Sequence, residues 1–305
     1  MRLEEHILVI VTFNRIALLK KCLQAAFSQT TPYSAVVIVD NSSADGTREY
    51  LKSFQKDSRI FVLTEEKNVG GAGGFADGVQ KAMELGADWI TLIDDDAILY
   101  DDFLEKIMEG IEKWRDIAEM FAGVPLTRGI RIGHRRRIRK GVVYREYAVP
   151  SEEYREPYFT CQIASFCGLV LSSKLVEKIG LPEGGYFIWY DDTEYCLRAQ
   201  PYSPVVNCNR AMIDHRATMD RGEYQIGWKE YYGIRNRIDM ALRHYGKRTA
   251  VFIASRKAVR GFLESIRVLR KSGIRECAYV LRLYRRGISD GFHRRLGLRS
   301  PYTPA

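Results

Sequence analysis

The sequence predicts an α/β fold with a mixed, mostly parallel sheet flanked by helices and followed by a basic C-terminal helical extension. Over the first 125 residues, short runs rich in β-branched residues alternate with segments of helical periodicity. This alternation is typical of strands joined by crossover helices. With 46% hydrophobic and 28% charged residues, the composition fits a globular chain and excludes a disordered or fibrous class.

The predicted elements follow one another in a regular order. Strands are expected at Ile7–Phe13, Ala35–Asp40, Ile60–Thr64, Trp89–Ile93 and Met120–Val124. Helices are expected at Ala17–Gln29, Asp45–Phe54, Gly74–Leu85 and Asp101–Trp114. Because ligands of open parallel sheets bind beyond the carboxyl ends of the strands, the loops after these strands are the expected binding site.

Charge is distributed unevenly along the chain, whose formal net charge is +9. From residue 235 onward there are 18 Lys or Arg and only four acids, so the preceding part is net acidic. We expect one domain over residues 1–234 and a basic amphipathic helical region over residues 235–305. Such helices suit an anionic membrane surface, but they would also fit a solvated outer face or a contact in a homo-oligomer.

The targeting and redox features are those expected of a cytoplasmic protein. The apolar stretch Ile7–Phe13 follows two acids and has the length of a buried strand, unlike a secretory signal. No window approaches the roughly 18 uninterrupted apolar residues of a membrane-spanning helix. The six cysteines form no CxxC pair and are expected to be reduced. Any membrane association would therefore be peripheral, at the inner face of the membrane.

Three consecutive carboxylates, Asp94, Asp95 and Asp96, follow the predicted strand Trp89–Ile93. Carboxylates this close repel one another, and a bound cation would hold them together. Oxygen ligands favour Mg²⁺ or Mn²⁺, and either ion could bridge a diphosphate. An acidic turn that caps the next helix is the alternative. His215 is a further candidate ligand, although a lone histidine is more often structural.

The segment Asn68–Phe75, NVGGAGGF, contains four glycines and leads into a predicted helix. Glycines allow main-chain N–H groups to approach a phosphate or a flat base at a helix N-terminus. The segment follows the third strand rather than the first, so it is not the GxGxxG dinucleotide fingerprint. A tight structural turn would explain the same residues.

Aromatic residues immediately precede a second acidic group in Gly180–Ala199, GLPEGGYFIWYDDTEYCLRA. Aromatic faces stack on sugar rings, and a neighbouring carboxylate of Asp191, Asp192 or Glu194 can accept a hydroxyl proton. A capped amphipathic helix with its aromatic residues in the core would give the same pattern.

Taken together, these motifs resemble glycosyltransferase family 2, whose members have the GT-A fold. The likeness covers about residues 6 to 240 and comprises, in order, VTFNR, VDNSSADGT, NVGGAGGF, IDDDA, GGYFIWYDDTEYCLRA, the later His and YYGIRNR. The combination of NVGGAGGF, DDDA and YDDTEY is similar to that of bacterial galactofuranosyltransferases and rhamnosyltransferases of cell-surface polysaccharide synthesis. The resemblance implies an inverting, metal-dependent enzyme that transfers a sugar from a nucleotide-diphospho-sugar to a glycan or lipid-linked acceptor. UDP-galactofuranose is the favoured donor and dTDP-rhamnose the alternative.

The resemblance also implies roles in catalysis and metal binding. Asp192 matches the family's general base, and Asp191 precedes it. Asp96 matches a ligand of Mn²⁺ or Mg²⁺, which His215 and the diphosphate would complete.

For substrate binding, the resemblance implies that Trp189, Tyr190 and Glu194 contact the acceptor. Related galactofuranosyl enzymes carry Trp directly before the acidic pair, where this chain has Tyr190. The residues with an implied role in binding the nucleotide-sugar are Thr12, Asn14, Arg15, Asp40, Asn68, Gly70, Gly71, Gly73, Gly74, Asp94 and Asp95.

Two other classes of protein explain fewer of these motifs. The run HRRRIRK and a pI of about 9.2 suggest nucleic-acid binding, but this explains none of the acidic and Gly-rich loops, so no nucleic-acid partner is expected. A sugar-1-phosphate nucleotidyltransferase would have a Gly-rich loop after its first strand, and TFNRIALLKK contains no glycine.

The segment 127–140 follows neither the helical nor the strand periodicity of hydrophobic residues. It is expected to be a mobile or inserted surface loop.

Overall fold

The computed structural model describes residues 4–54, 56–131, 133–216 and 226–303. The strands in these ranges are β1 His6–Thr12, β2 Ala35–Asp40, β3 Ile60–Thr64, β4 Trp89–Asp94, β5 Ala97–Leu99, β6 Met120–Thr127, β7 Ile130–Arg131, β8 Arg135–Arg139, β9 Arg145–Ala148, β10 Tyr158–Cys161, β11 Ile163–Ala164, β12 Leu169–Ser172 and β13 Val205–His215. The helices are α1 Ile16–Phe27, α2 Thr47–Lys52, α3 Gly70–Glu84, α4 Phe103–Trp114, α5 Ser173–Ile179, α6 Asp191–Ala199, α7 Trp228–His244, α8 Lys247–Ser272 and α9 Ile274–Phe292.

The main sheet has the strand order β10-β13-β6-β12-β4-β1-β2-β3. Strand β1 pairs in parallel with β2 and β4, and β2 pairs in parallel with β3. Strand β12 runs antiparallel between β4 and β6, whereas β13 is parallel to β6. The predicted mixed, mostly parallel sheet is therefore confirmed.

Helices cover both faces of the sheet, which is why its central strands consist mainly of apolar residues. All seven residues of β1 are buried. One face packs against α3, and the other packs against α1 and α4. Helix α3 lies so close to β1 that a Cβ atom at Gly78 would come within 2.3 Å of a methyl group of Val9. This close packing fixes the start of α3 at the edge of the sheet.

The predicted elements are present, but several ends are shifted and one segment was misassigned. Helix α3 begins at Gly70 rather than at Gly74. Within the segment 127–140, β8 pairs with β9 and β11 in a separate three-stranded sheet. Arg135 of β8 is buried and donates hydrogen bonds to Asn207 and to the carbonyl of Gly123. The predicted surface loop is therefore wrong over β8, because a buried arginine with polar partners looks like a surface residue in the sequence.

The C-terminal helices pack on one another and on the segment that precedes α6. Their shared core includes Phe187, Tyr231, Tyr232 and Leu283. Helix α7 runs across the predicted boundary at residue 234, so the division into two domains stays a prediction. In the described ranges, no helix is both long enough and apolar enough to cross a bilayer.

Candidate functional site

Two adjoining cavities lie at the carboxyl ends of β1 and β4, where the sheet topology predicts a ligand. Of the predicted site residues, the larger cavity, of about 580 Å³, is lined by Arg15, Gly71, Asp94, Asp96, Trp189, Tyr190, Asp191, Asp192 and His215. The smaller cavity, of about 310 Å³, is lined by Thr12, Arg15, Asn68, Gly70, Gly71, Asp94 and Asp95. Because Arg15, Gly71 and Asp94 line both cavities, the two form one cleft.

Four predicted nucleotide-binding residues do not line this cleft. The side chain of Asn14 accepts a hydrogen bond from the backbone N–H of Ala44 at 2.7 Å and so holds the loop after β2. Asp40 is fully buried beneath that loop, and its Oδ2 atom has no hydrogen-bond partner in the described ranges. Gly73 and Gly74 face the side chains of Val69 and Val11. Gly74 allows close packing of α3 on β1, and the contact of both glycines with the nucleotide stays a prediction.

Glu194 also lies outside the cleft. Glu194 is two residues after Asp192 in the same helix, so it points to the opposite side of α6. Its side chain is buried, with Oε2 2.7 Å from Arg198 and Oε1 3.0 Å from His244. The prediction that Glu194 contacts the acceptor is therefore corrected: this carboxylate joins α6 to α7.

The acidic edge of β4 is held by polar contacts from the loop after β1. Thr12 donates a hydrogen bond to Asp95 at 2.7 Å, and Arg15 lies 3.2 Å from Asp95 and 2.9 Å from Asp96. Burial raises the pKa of Asp95 to about 6. Burial, with the neighbouring carboxylates, raises the pKa of Asp94 to about 7. Added positive charge at this edge would stabilise the ionised carboxylates.

Asp96 and His215 meet because of long-range strand pairing. Strand β13 pairs with β5 in a register that sets His215 opposite Ala97, the residue after Asp96. The Nε2 atom of His215 lies 3.4 Å from Oδ1 of Asp96. Although burial alone would raise the pKa of Asp96, His215 and Arg15 outweigh it and hold that pKa below its usual value. The same contact raises the pKa of His215 against the opposing effect of burial.

The chemistry of this pair fits a divalent cation. Oδ1 of Asp96 is buried without a hydrogen-bond partner in the described ranges, and it faces an imidazole nitrogen. Thr127 lies 3.4 Å from the other ring nitrogen of His215 and so helps to orient the ring. The described residues contain no cluster of three or more His, Cys, Asp or Glu that could hold a metal. A cation here would thus take its remaining ligands from a diphosphate or water.

The second acidic pair starts α6 on the opposite wall of the larger cavity. Asp192 accepts hydrogen bonds through Oδ1 from the backbone N–H and the hydroxyl of Thr193. Its Oδ2 atom accepts none from the described part of the chain. Burial and the charge of Asp192 raise the pKa of Asp191 to about 8, which favours the protonated form of this carboxyl group.

The aromatic segment before α6 has a strained backbone. Phe187, Trp189 and Tyr190 all have positive φ angles, which are uncommon for residues with a Cβ atom. Asn236 of α7 donates hydrogen bonds to the carbonyls of residues 186, 188 and 189 at 2.8–2.9 Å. Arg235 donates to the carbonyls of residues 185 and 186. These contacts hold the segment in place and leave the Trp189 ring 43% exposed.

Sequence reasoning did not assign Arg235 and Asn236 to the site. The motif YYGIRNR was noted, but polar residues in an amphipathic helix are normally read as solvent-facing. Both side chains are in fact fully buried. The cleft also has lining residues that the sequence did not single out, among them Arg136, Glu230 and Lys257.

We predict that Gly70→Ala destabilises the protein strongly. Gly70 has a φ of +80°, and a Cβ atom there would lie 2.0 Å from the carbonyl oxygen of Phe187. Strain and overlap together should lower the free energy of unfolding by about 2–5 kcal/mol, measured by chemical denaturation. Gly71→Ala is the matched control, since a Cβ atom at Gly71 meets nothing within 4 Å. Equal stability of the two variants would contradict the structure at this turn.

Two solved structures of similar shape share this architecture. GalNAc-T7 with UDP, GalNAc and Mn²⁺ superposes with a TM-score of 0.67 over 84% of this chain and 51% of that chain, at 16% identity. TarS 1–349 of S. aureus in complex with UDP-GlcNAc gives a TM-score of 0.55 over 79% of this chain and 67% of that chain, at 15% identity. The fold and the matched family define a GT-A glycosyltransferase. More particularly, the chain belongs to glycosyl transferase family 2, whose model matches residues 7–180.

Curated relatives agree with this family. The chain is 28% identical over 296 residues to galactofuranosyltransferase GlfT1 of Mycolicibacterium smegmatis, covering 88% of this chain and 96% of that protein. It is 29% identical over 191 residues to GlfT1 of Mycobacterium tuberculosis, covering 61% of each. A putative teichuronic acid biosynthesis glycosyltransferase of Bacillus subtilis, TuaG, is 29% identical over 116 residues, or 38% of this chain and 44% of that protein.

Proposed function

We propose that the protein is an inverting, metal-dependent glycosyltransferase that transfers galactofuranose from UDP-galactofuranose to a hydroxyl of a growing cell-surface polysaccharide or lipid-linked glycan. One observation carries this proposal: a single cavity is lined by the pair Asp96 and His215 and by the pair Asp191 and Asp192. The likeness to GlfT1 over 96% of that protein supports the donor sugar. Rhamnose from dTDP-rhamnose is the alternative.

The smaller cavity is the proposed site of the nucleotide. Its volume of about 310 Å³ and its lining of Thr12, Asn41, Asn68 and the backbone of Gly70 suit a flat base and a ribose. The diphosphate would then lie toward Asp96 and His215, which would hold Mn²⁺ or Mg²⁺. When bound, such an ion supplies positive charge against the diphosphate of the leaving group.

Asp192 is the proposed general base. Its Oδ2 atom accepts the proton of the acceptor hydroxyl as that oxygen forms a bond to the anomeric carbon. The bond between the anomeric carbon and the diphosphate oxygen breaks, and its electron pair leaves with the nucleoside diphosphate. Attack and departure occur on opposite faces, so the anomeric configuration inverts. Protonated Asp191 can donate a hydrogen bond to a sugar hydroxyl, and the exposed ring of Trp189 offers a face for the acceptor sugar.

A donor screen tests the proposed function. UDP-galactofuranose, dTDP-rhamnose and a GDP-sugar are compared, each with Mn²⁺, by thermal shift and by hydrolysis of the nucleotide-sugar. The expected result is stabilisation and turnover by the UDP-sugar above the others. A clear preference for dTDP-rhamnose would assign the alternative donor, and no response to any nucleotide-sugar would refute the proposal.

We also propose peripheral association with the inner face of the cell membrane through α8. This helix carries eight Lys or Arg and one acid. Its exposed apolar side chains lie within an arc of roughly 120° on a helical projection: Val251, Phe252, Val259, Phe262, Leu263 and Leu269. An apolar face bordered by cations suits an anionic lipid surface.

We predict that Phe262→Ser with Leu263→Ser lowers the partition of the protein onto vesicles containing phosphatidylglycerol by about tenfold or more, because about 1 kcal/mol is lost for each partly inserted side chain. Sedimentation with vesicles measures the effect. The control variant carries Ile117→Ser and Val142→Ser, which are exposed apolar residues outside α8. Equal loss in both variants, or no loss in the α8 variant, would remove α8 as the membrane contact.

A further inference from the structure

A basic cavity of about 450 Å³ lies beside the catalytic cleft. It is formed by β9 with the segment before it, by α7 with the residue after it, and by α8. Five of its lining residues are cationic and one is acidic; the cations are Arg145, Arg237, Arg256, Lys257 and Arg260, and the acid is Glu146. The cavity therefore has a strong excess of positive charge.

The one carboxylate of the cavity is engaged elsewhere. Glu146 accepts a hydrogen bond from Arg136, which lines the catalytic cleft, and another from the hydroxyl of Tyr245. Arg145 and Arg256 form no ion pair with any residue of the described ranges. The Nε atom of Arg237 is buried and has no hydrogen-bond partner there. Lys257 is paired with Glu230 at 2.9 Å, so Arg145, Arg237 and Arg256 carry the argument. The positive charges of these three arginines repel one another, and an anion bound between them would lower the electrostatic energy.

Three contacts connect this cavity to the catalytic cleft. Lys257 lines both cavities. The guanidinium of Arg237 lies 6.0 Å from the ring of Tyr190, which lines the cleft one residue before the acidic pair. The ion pair of Glu146 with Arg136 forms a further shared wall. A ligand in the basic cavity would thus be separated from a molecule bound at Asp191 and Asp192 by wall residues such as Lys257 and Tyr190.

We infer that the basic cavity is an anion subsite that binds a phosphate or diphosphate group of the acceptor, while an acceptor hydroxyl lies at Asp192. Arginine guanidinium groups bind phosphate oxygens through paired N–H donors, which suits Arg145, Arg237 and Arg256 to this ligand. The stacked rings of Tyr144 and Tyr245, 4.9 Å apart, form an apolar part of the wall. The inference rests on the proposed function and defines the acceptor as a phosphorylated molecule rather than a neutral glycan.

The first test measures binding of inorganic pyrophosphate to the full chain by calorimetry, with saturating UDP present to occupy the donor site. The cavity variant carries Arg145→Gln and Arg256→Gln. The control carries Arg248→Gln and Arg270→Gln, which remove the same charge from parts of α8 outside the cavity. The cavity variant should bind pyrophosphate about tenfold more weakly or worse, and the control should bind as the wild type does. Equal weakening in both variants, or none in either, would overturn the inference.

The second test distinguishes an acceptor phosphate from a lipid headgroup. Transfer to a glycosyl phosphate is compared with transfer to the methyl glycoside of the same sugar, and sedimentation with phosphatidylglycerol vesicles is measured in parallel. The cavity variant should have a KM about tenfold higher for the glycosyl phosphate alone, and it should bind vesicles as the control with Arg248→Gln and Arg270→Gln does. Weaker vesicle binding than that control, with an unchanged KM, would assign the anion to a lipid and overturn the inference. If the wild type uses no nucleotide-sugar, the proposed function fails, and the pyrophosphate titration still tests the cavity.

Discussion

Asp192→Asn is expected to reduce sugar transfer by about 10²–10⁴-fold while leaving donor binding intact, because the amide cannot accept the proton of the attacking hydroxyl. The substitution keeps the size of the side chain, and the Oδ1 contacts with Thr193 have an equivalent in the amide oxygen. Affinity for UDP should therefore stay within about twofold of the wild-type value, since the substitution removes no contact with the donor. Initial rates and a UDP titration measure the two quantities.

The neighbouring carboxyl provides the control for this experiment. Asp191→Asn replaces a group whose protonated form is favoured, since burial and the charge of Asp192 raise the pKa of Asp191 to about 8. Its effect on the rate at pH 7 should be at least about tenfold smaller than that of Asp192→Asn. If Asp191→Asn lowered the rate more than Asp192→Asn does, Asp191 would be the general base. Normal turnover by Asp192→Asn would exclude it as the base.

The sheet and the loops that form the cleft could be predicted because their signals are local. Buried strands such as β1 and β4 consist mainly of apolar residues, and polar or acidic residues lie at their carboxyl ends. Such patterns identify a strand and its end without knowledge of its neighbours. The sheet topology then brings these ends to one edge.

Other parts of the site depend on contacts between distant segments and could not be predicted from local patterns. The place of His215 beside Asp96 is set by the register of β13 against β5, which is only three residues long. Arg235 and Asn236 look like the polar face of a helix, yet they are buried against carbonyls about 50 residues earlier in the chain. Glu194 belongs to an acidic motif, but the rotation of α6 turns it toward His244.

Removal of divalent cations is expected to abolish transfer, and His215→Ala is expected to weaken cation binding about 10–100-fold or more. The expectation follows from the buried, unpartnered Oδ1 atom of Asp96 and its 3.4 Å separation from the imidazole of His215. Without the ring, one of the two proposed protein ligands is lost. Titration of Mn²⁺ into the UDP-bound protein measures the affinity directly, apart from any assay of transfer.

A neighbouring residue on β13 separates loss of the cation from general damage to the strand. Asp214 is partly exposed and pairs with Arg216 rather than with Asp96. Asp214→Asn removes one negative charge from the same strand, and it should leave Mn²⁺ affinity within about twofold of the wild-type value, because rim charges of this kind contribute little. Full transfer after exhaustive chelation, or equal loss of Mn²⁺ affinity in the Asp214 and His215 variants, would remove Asp96 and His215 as the cation site. In that case the positive charge opposite the diphosphate would come from cations that line the cleft, among them Arg15, which lies 2.9 Å from Asp96.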